Sequence, residues 1–190
     1  MMAREALQRA VAKPAQTLPL AGNKPSAVLI AVVQRPSGPT LVMLQKTSGM
    51  RSHAGQIGFP GGGVEAGETS EQAALREAWE EIGLPIDRVD IIGMTRAYAT
   101  GSGYLITPVV GVIPEGLELV PHEAEVARVF EVPLDHLVAE NNHLRRTAVY
   151  NDIERHYFEI DWPHEYIWGV TAGLIVNLAP RLREAIRSAA

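Results

Sequence analysis

The chain contains no cysteine among its 190 residues. Disulfides, thiolate metal sites and cysteine nucleophiles are therefore excluded together. Basic charge is also in short supply. The 17 Lys and Arg stand against 22 Asp and Glu, for a formal net charge of −5. That balance argues against a nucleic-acid partner. A nucleotide-like substrate stays open, because a metal and a few local cations offset a small anion. No apolar run approaches the roughly 20 residues that span a bilayer, so no membrane partner is expected. Internal repeats and low-complexity stretches are missing as well. The opening MMAREALQRAVAK lacks the apolar core of a secretory signal and reads as a short amphipathic helix, with a transit peptide the less favoured alternative. The closing Arg187-Ser188-Ala189-Ala190 is no peroxisomal address. Cytoplasmic residence is the simplest expectation. The oligomeric state is left open, with a homodimer the one assembly considered.

What is present is ordinary for a globular chain: 46% hydrophobic and 21% charged residues. The length suits one domain with a real core. A helix and Pro-rich connector are expected over residues 1–25 and the main domain over 26–190. Ser26–Gln34 is a β-branched apolar run and predicts a buried strand, paired with Thr40–Lys46 across Arg35-Pro36-Ser37-Gly38-Pro39. Met50–Gly58 reads as a polar loop. Val89–Met94 and Tyr104–Ile113 read as strands, the second placed at an edge or bulge by Pro108. Val126–Val132 alternates like a half-exposed strand, and Leu134–Asn141 reads as a short helix. Thr147–Ile153 and His156–Ile160 suggest a hairpin turning at Glu154-Arg155. Thr171–Arg187 is an amphipathic helix that Pro180 would kink or split. These elements give an α/β fold with a mixed sheet between helices.

The segment Gly62 to Leu84, GGVEAGETSEQAALREAWEEIGL, is the most informative. Thr69 or Ser70 serves as N-cap, and Gly83 followed by Pro85 ends the helix. At about 100° per residue, Glu80 and Glu81 fall about 60° and 40° to either side of Glu77. Leu75, Ala78, Trp79 and Ile82 fall on the opposite side, where they would be buried. Three carboxylates on one arc repel unless a cation lies between them. A solvated acidic face is the bland alternative; the spacing favours a divalent metal. Pro60-Gly61-Gly62-Gly63 reads as a loop whose backbone carbonyls approach a ligand. Hard cations such as Mg²⁺ take such oxygen ligands and share them with substrate phosphates.

Gly62, Glu68, Arg76, Glu77, Glu80, Glu81, Gly83 and Leu84 stand at the spacing of the Nudix box, so the chain resembles the Nudix hydrolases. Ala78 stands where a larger aliphatic is usual. The resemblance implies an α/β/α sandwich, Mg²⁺ or Mn²⁺ as cofactor, and hydrolysis of a nucleoside diphosphate linked to another group. It assigns Glu77, Glu80 and Glu81 to the metal, with Glu68 and a carbonyl near Gly61 completing the shell and Arg76 orienting a glutamate. The general base is either a box glutamate or a distant one, Glu125 or Glu123.

Arg51, Gly55 and Phe59-Pro60-Gly61-Gly62 further resemble the signature of the coenzyme A diphosphatase branch. Val42 to Thr47 match its first half only in character, with Lys46 in place of arginine. Further blocks of likeness lie at 98–104, 107–111, 125–134 and 167–172. The implied substrate, coenzyme A or a derivative, carries an extra 3′-phosphate. Its site would need cations, for which Arg51, Lys46 and Arg35 are candidates, and His53 is a further candidate for a phosphate contact. Trp162, Tyr166 and Trp168 are read as packing residues before adenine stackers. The alternatives are ADP-ribose or another nucleoside diphosphate derivative, and a catalytically silent nucleotide-binding domain.

Overall fold

The computed structural model describes residues 4–11, 22–49, 53–150, 152–163 and 165–187. The elements in chain order are α1 (Arg4–Val11), β1 (Lys24–Arg35), β2 (Gly38–Lys46), β3 (Ile57–Gly58), β4 (Gly61–Gly63), α2 (Ser70–Ile82), β5 (Asp90–Met94), β6 (Tyr98–Ala99), β7 (Tyr104–Ile113), β8 (Val126–Pro133), α3 (Leu134–Val138), β9 (His143–Tyr150), β10 (Ile153–Trp162), β11 (Glu165–Trp168) and α4 (Gly169–Arg187). An eight-stranded mixed sheet runs β3-β2-β1-β7-β5, with β4 also on β1, β6 on β7 and β8 on β2. A three-stranded antiparallel sheet runs β11-β10-β9.

β1 lies inside the large sheet, which explains its nearly unbroken apolar sequence. Leu29 and Ala31 face one core cluster, Ile30 and Val32 the other. α2 covers the first face through Ala73, Ala74, Ala78 and Ile82. α1, α3 and α4 cover the second through Leu7, Leu137 and Leu178 among others. The result is the α/β/α sandwich. Among the described residues no helix is long and apolar enough to cross a membrane.

Several expectations need correction. Residues 61–63 are not loop but strand β4, paired with Ser26, Ala27 and Val28 of β1. β7 is central rather than an edge, because β1 pairs along it on one side and β5 and β6 on the other. Pro108 faces the break between β5 and β6, where its carbonyl accepts from Thr95 N at 2.9 Å, so a strand proline is tolerated. The β9–β10 hairpin turns between Tyr150 and Ile153, not at Glu154-Arg155. Asp152 there has φ 59°, a backbone that Asp adopts more readily than most residues. α4 is one helix with Pro180 inside it. Trp79 is 55% exposed, while Glu81 is 3% exposed. The three alanines let α2 settle close to the sheet, and the buried arc is rotated toward Glu81 and away from Trp79.

At the β1–β2 turn, Arg35 holds Glu131 through Nη2 to Oε1 at 2.6 Å and Nε to Oε2 at 3.1 Å. Thr40 Oγ1 donates to the same carboxylate at 2.6 Å. The Arg35 hydrogen bond is the chief reason that the Glu131 carboxyl lies below its ordinary range. A depressed folded-state pKa gives stability that is present at neutral pH and lost as pH falls through that depressed value. Glu131→Gln is therefore expected to cost about 1 kcal/mol at pH 7. The cost should shrink toward pH 3; urea unfolding at the two pH values measures it.

Candidate active site

α2 is fixed at both ends. Thr69 Oγ1 accepts from Gln72 N at 3.2 Å, and the Gln72 side chain accepts from Thr69 N at 2.8 Å, a reciprocal cap. Gly83, at φ 63°, closes the helix in the left-handed region, with its N–H directed to the Ala78 and Trp79 carbonyls. Between these ends, β4 lies directly against the helix. A methyl group on Gly62 would sit 2.3 Å from Glu77 Oε1. Only glycine lets the strand backbone pass so close to that carboxylate. Gly62 O in turn accepts a hydrogen bond from the Ser26 hydroxyl.

Arg76 organises the acidic face. Its Nε and Nη2 grip Glu68 at 2.8 and 3.1 Å, a bidentate contact. Nη2 also donates to Gly63 O at 3.0 Å. Nη1 is shared between Glu77 Oε1 at 2.9 Å and Glu80 Oε2 at 3.1 Å. The hydrogen bond to Glu68 is the largest cause of the raised Arg76 pKa, and the Arg76 bond likewise pulls the Glu68 carboxyl down. Glu68 Oε2 accepts from Glu65 N at 2.9 Å, which ties the loop before α2 to the site.

Glu81 has a different environment. Lys46 Nζ donates to its Oε1, and Gly61 N donates to Oε2 at 3.0 Å. Burial pushes the Glu81 carboxyl up, and the Lys46 and Gly61 bonds oppose that shift. Lys46 Nζ also lies 3.7 Å from Glu125 Oε2. The segment bearing Glu125 is pinned at two points. His122 N donates to Glu81 O and Thr47 N to Glu125 O, each at 2.9 Å.

The structure thus brings Glu68, Arg76, Glu77, Glu80, Glu81, Gly61, Lys46 and Glu125 together. Gly61 meets the others through its N–H. Arg35 is not brought in: it ends β1 about 23 Å along the strand from Val28, the partner of Gly61. His53, at φ 60°, is exposed and bonds Gln56 Oε1 through Nδ1 at 2.8 Å. Arg51 lies outside the described residues. Trp162 packs edge-on against His136, whereas Tyr166 and Trp168 stack on each other at the surface. Ser26 was readable only as the start of an apolar strand; no sequence signal tied its hydroxyl to Gly62.

Five carboxylates here face two cationic side chains, Arg76 and Lys46. The surplus of hard anionic oxygen suits a divalent cation such as Mg²⁺ or Mn²⁺. Among the described residues, no three acidic or histidine side chains already converge as a metal cage. The carboxylates instead point at Arg76, Lys46 and the Gly61 N–H. The donor chemistry fits a metal, and the two cations are what it would have to share the carboxylates with.

A family model described as a NUDIX domain matches residues 23–153. The uncharacterized Nudix hydrolase NudL of Escherichia fergusonii is 43% identical over 135 residues, which cover 68% of each chain. The Citrobacter koseri protein of the same description is 40% identical over 132 residues, again 68% of each. Among solved structures, RenU, a Nudix hydrolase from M. smegmatis, is 25% identical at a TM-score of 0.53, over 62% of this chain and 74% of its own. DR0079 from Deinococcus radiodurans is 17% identical at a TM-score of 0.54 over 88% of both chains, a likeness of fold.

Proposed function

Because the chain belongs to the Nudix family, we propose that it hydrolyses the pyrophosphate of coenzyme A or its derivatives, in the cytoplasm, to 3′,5′-ADP and 4′-phosphopantetheine or its acylated form. The observation that carries the reaction class is the arrangement of Glu68, Glu77 and Glu80 around Arg76, with Glu81 one residue on held by Lys46 and the Gly61 N–H, and β4 pressed against Glu77. The substrate is supported by the Phe59-Pro60-Gly61-Gly62 run and its upstream Gly55. Phe59 is a core residue, and the two glycines that follow set β4 on β1.

In the proposed reaction, a water oxygen attacks one phosphorus, the bridging P–O bond breaks, and the bridging oxygen leaves with the other phosphate. The water proton passes to a carboxylate. A divalent ion held by Glu77, Glu80 and Glu81, with Glu68 beside them, would supply charge neutralisation of the diphosphate and acidify the attacking water. The chain's own residues do the rest. Arg76 keeps Glu77 and Glu80 at a fixed separation and locks Glu68 against the loop. Glu80 is the most exposed of the box carboxylates in contact with Arg76, with 54% of its side chain accessible, and so can reach an attacking water. Glu125 is the alternative base, held beside Lys46. Lys46 offers its charge to a phosphate once Glu81 has another cation.

Incubation with coenzyme A, its thioesters and ADP-ribose, with Mg²⁺ or Mn²⁺ and with a chelator, tests the reading by mass spectrometry. The expected outcome is 3′,5′-ADP formed from coenzyme A in the presence of metal only. Cleavage of ADP-ribose with no 3′,5′-ADP from coenzyme A would overturn the substrate assignment.

A further inference from the structure

We propose that Arg155, Lys24 and the turn joining β6 to β7 form a second anion subsite, which binds a phosphomonoester group of the substrate. The proposal rests on the coenzyme A reading, whose substrate carries such a group on its ribose in addition to the diphosphate. Most of the cations nominated from the sequence for that group are unavailable among the described residues. Lys46 is held by Glu81 and Arg35 by Glu131 at the far end of β1; Arg76, which the resemblance assigns to orienting a glutamate, is held by three carboxylates.

The structure offers another pair at the same end of the sheet as the acidic cluster. The β9–β10 hairpin reaches across to the turn at 100–103, where a methyl group on Gly101 would lie 2.5 Å from Arg155 Nη1. The guanidinium therefore lies over bare glycine backbone. Arg155 is exposed, and among the described residues it shares no ion pair. Lys24, also exposed, begins β1 beside this turn: its N–H donates to Gly103 O at 2.8 Å, and it stands in register with Tyr104. It too shares no ion pair among the described residues. The turn adds hydroxyls, with Thr100 Oγ1 and Ser102 Oγ 3.0 Å apart. Thr100 Oγ1 already donates to Tyr104 O at 3.3 Å, which leaves Ser102 the freer donor.

The spacing is right for one small molecule to reach both places. Gly63, which touches Arg76, pairs with Ser26 of β1, and Tyr104 lies on the next strand, two residues toward its start. Two strand spacings and two residues of rise put the backbone of Tyr104, at the end of the turn, about 12 Å from that of Gly63, at the edge of the acidic cluster. A ribose that bears a diphosphate at one hydroxyl and a phosphate at another spans a comparable gap. A guanidinium fork, an ammonium and a hydroxyl make a set that a dianionic phosphomonoester satisfies and an uncharged hydroxyl does not.

The test compares coenzyme A with 3′-dephospho-coenzyme A in wild type, Arg155→Ala, Arg155→Lys and Lys24→Ala. Wild type should favour coenzyme A in kcat/KM, mainly through KM. Arg155→Ala should reduce that preference about tenfold, as expected for loss of a charge-assisted contact. Arg155→Lys and Lys24→Ala should fall between. Equal losses on both substrates would overturn the subsite while leaving the coenzyme A reading intact. If wild type cleaves neither substrate, that reading fails, and calorimetric binding of adenosine 3′,5′-bisphosphate against 5′-AMP still decides the subsite. The bisphosphate should bind more tightly to wild type and lose that advantage in Arg155→Ala; no difference would overturn the proposal.

Discussion

Glu80→Gln is expected to lower kcat by about a thousandfold, the scale of a lost acid–base or metal-coordinating group. The same variant should unfold within about 1 kcal/mol of wild type. The asymmetry follows from where Glu80 sits. Its side chain is 54% accessible, and its bond to Arg76 Nη1 is shared with Glu77. An exposed pair of that kind contributes little to stability. Gln keeps the shape and one acceptor oxygen, so the Arg76 contact can survive in weaker form. What it loses is the negative charge, for which neither the fold nor the cap of α2 has a use. Single-turnover kinetics with saturating Mn²⁺, beside a urea unfolding curve, separate the two effects. Turnover within tenfold of wild type would remove Glu80 from the chemistry and leave Glu125 as the base.

The sequence made some parts of this site legible and hid others, for physical reasons. α2 could be placed to within a residue because its limits depend on local chemistry: the Thr69 hydroxyl, Gln72 three residues on, and Gly83 in the left-handed region. The grouping of Glu77, Glu80 and Glu81 follows from helical pitch alone. The rotation of α2 on the sheet does not. It is set by Ala73, Ala74 and Ala78 packing against Leu29 and Ala31, contacts made across long sequence separations. Hence the helical projection buried Trp79, and the structure buries Glu81 instead. β4 was hidden for a similar reason. Three consecutive glycines have no side-chain pattern, and their strand character comes wholly from pairing with Ser26, Ala27 and Val28. The turn at Asp152 was misplaced because Glu154-Arg155 is as polar as the true connection, and strand register is a tertiary property. The approach of Arg155 to Gly101 joins strand β10 of one sheet to a turn of the other, which no local pattern encodes.

Glu81 and Lys46 should behave in the opposite way to Glu80, and stability is where the difference will show. Removing one partner alone, by Glu81→Leu or Lys46→Met, is expected to cost about 2–4 kcal/mol in the presence of a chelator. Glu81→Leu strands the Lys46 ammonium, 18% accessible, and leaves the Gly61 N–H without its acceptor. Lys46→Met leaves a 3%-exposed carboxylate whose pKa burial already raises. The double variant replaces both charges with apolar groups of similar length, so the desolvation cost of the pair disappears with its attraction. It should therefore recover most of the loss, with a coupling of about 2 kcal/mol or more in the double-mutant cycle. Activity should not recover, because the buried carboxylate that would help hold the metal is gone. Chemical denaturation of the four proteins with chelator, and Mn²⁺ binding by electron paramagnetic resonance without it, give the two readouts. Additive destabilisation would show that Lys46 and Glu81 do not depend on each other. Undiminished Mn²⁺ affinity in the double variant would show that a cation does not take the place of Lys46 at Glu81, and metal binding would then have to rest on the Glu77 and Glu80 side of the helix.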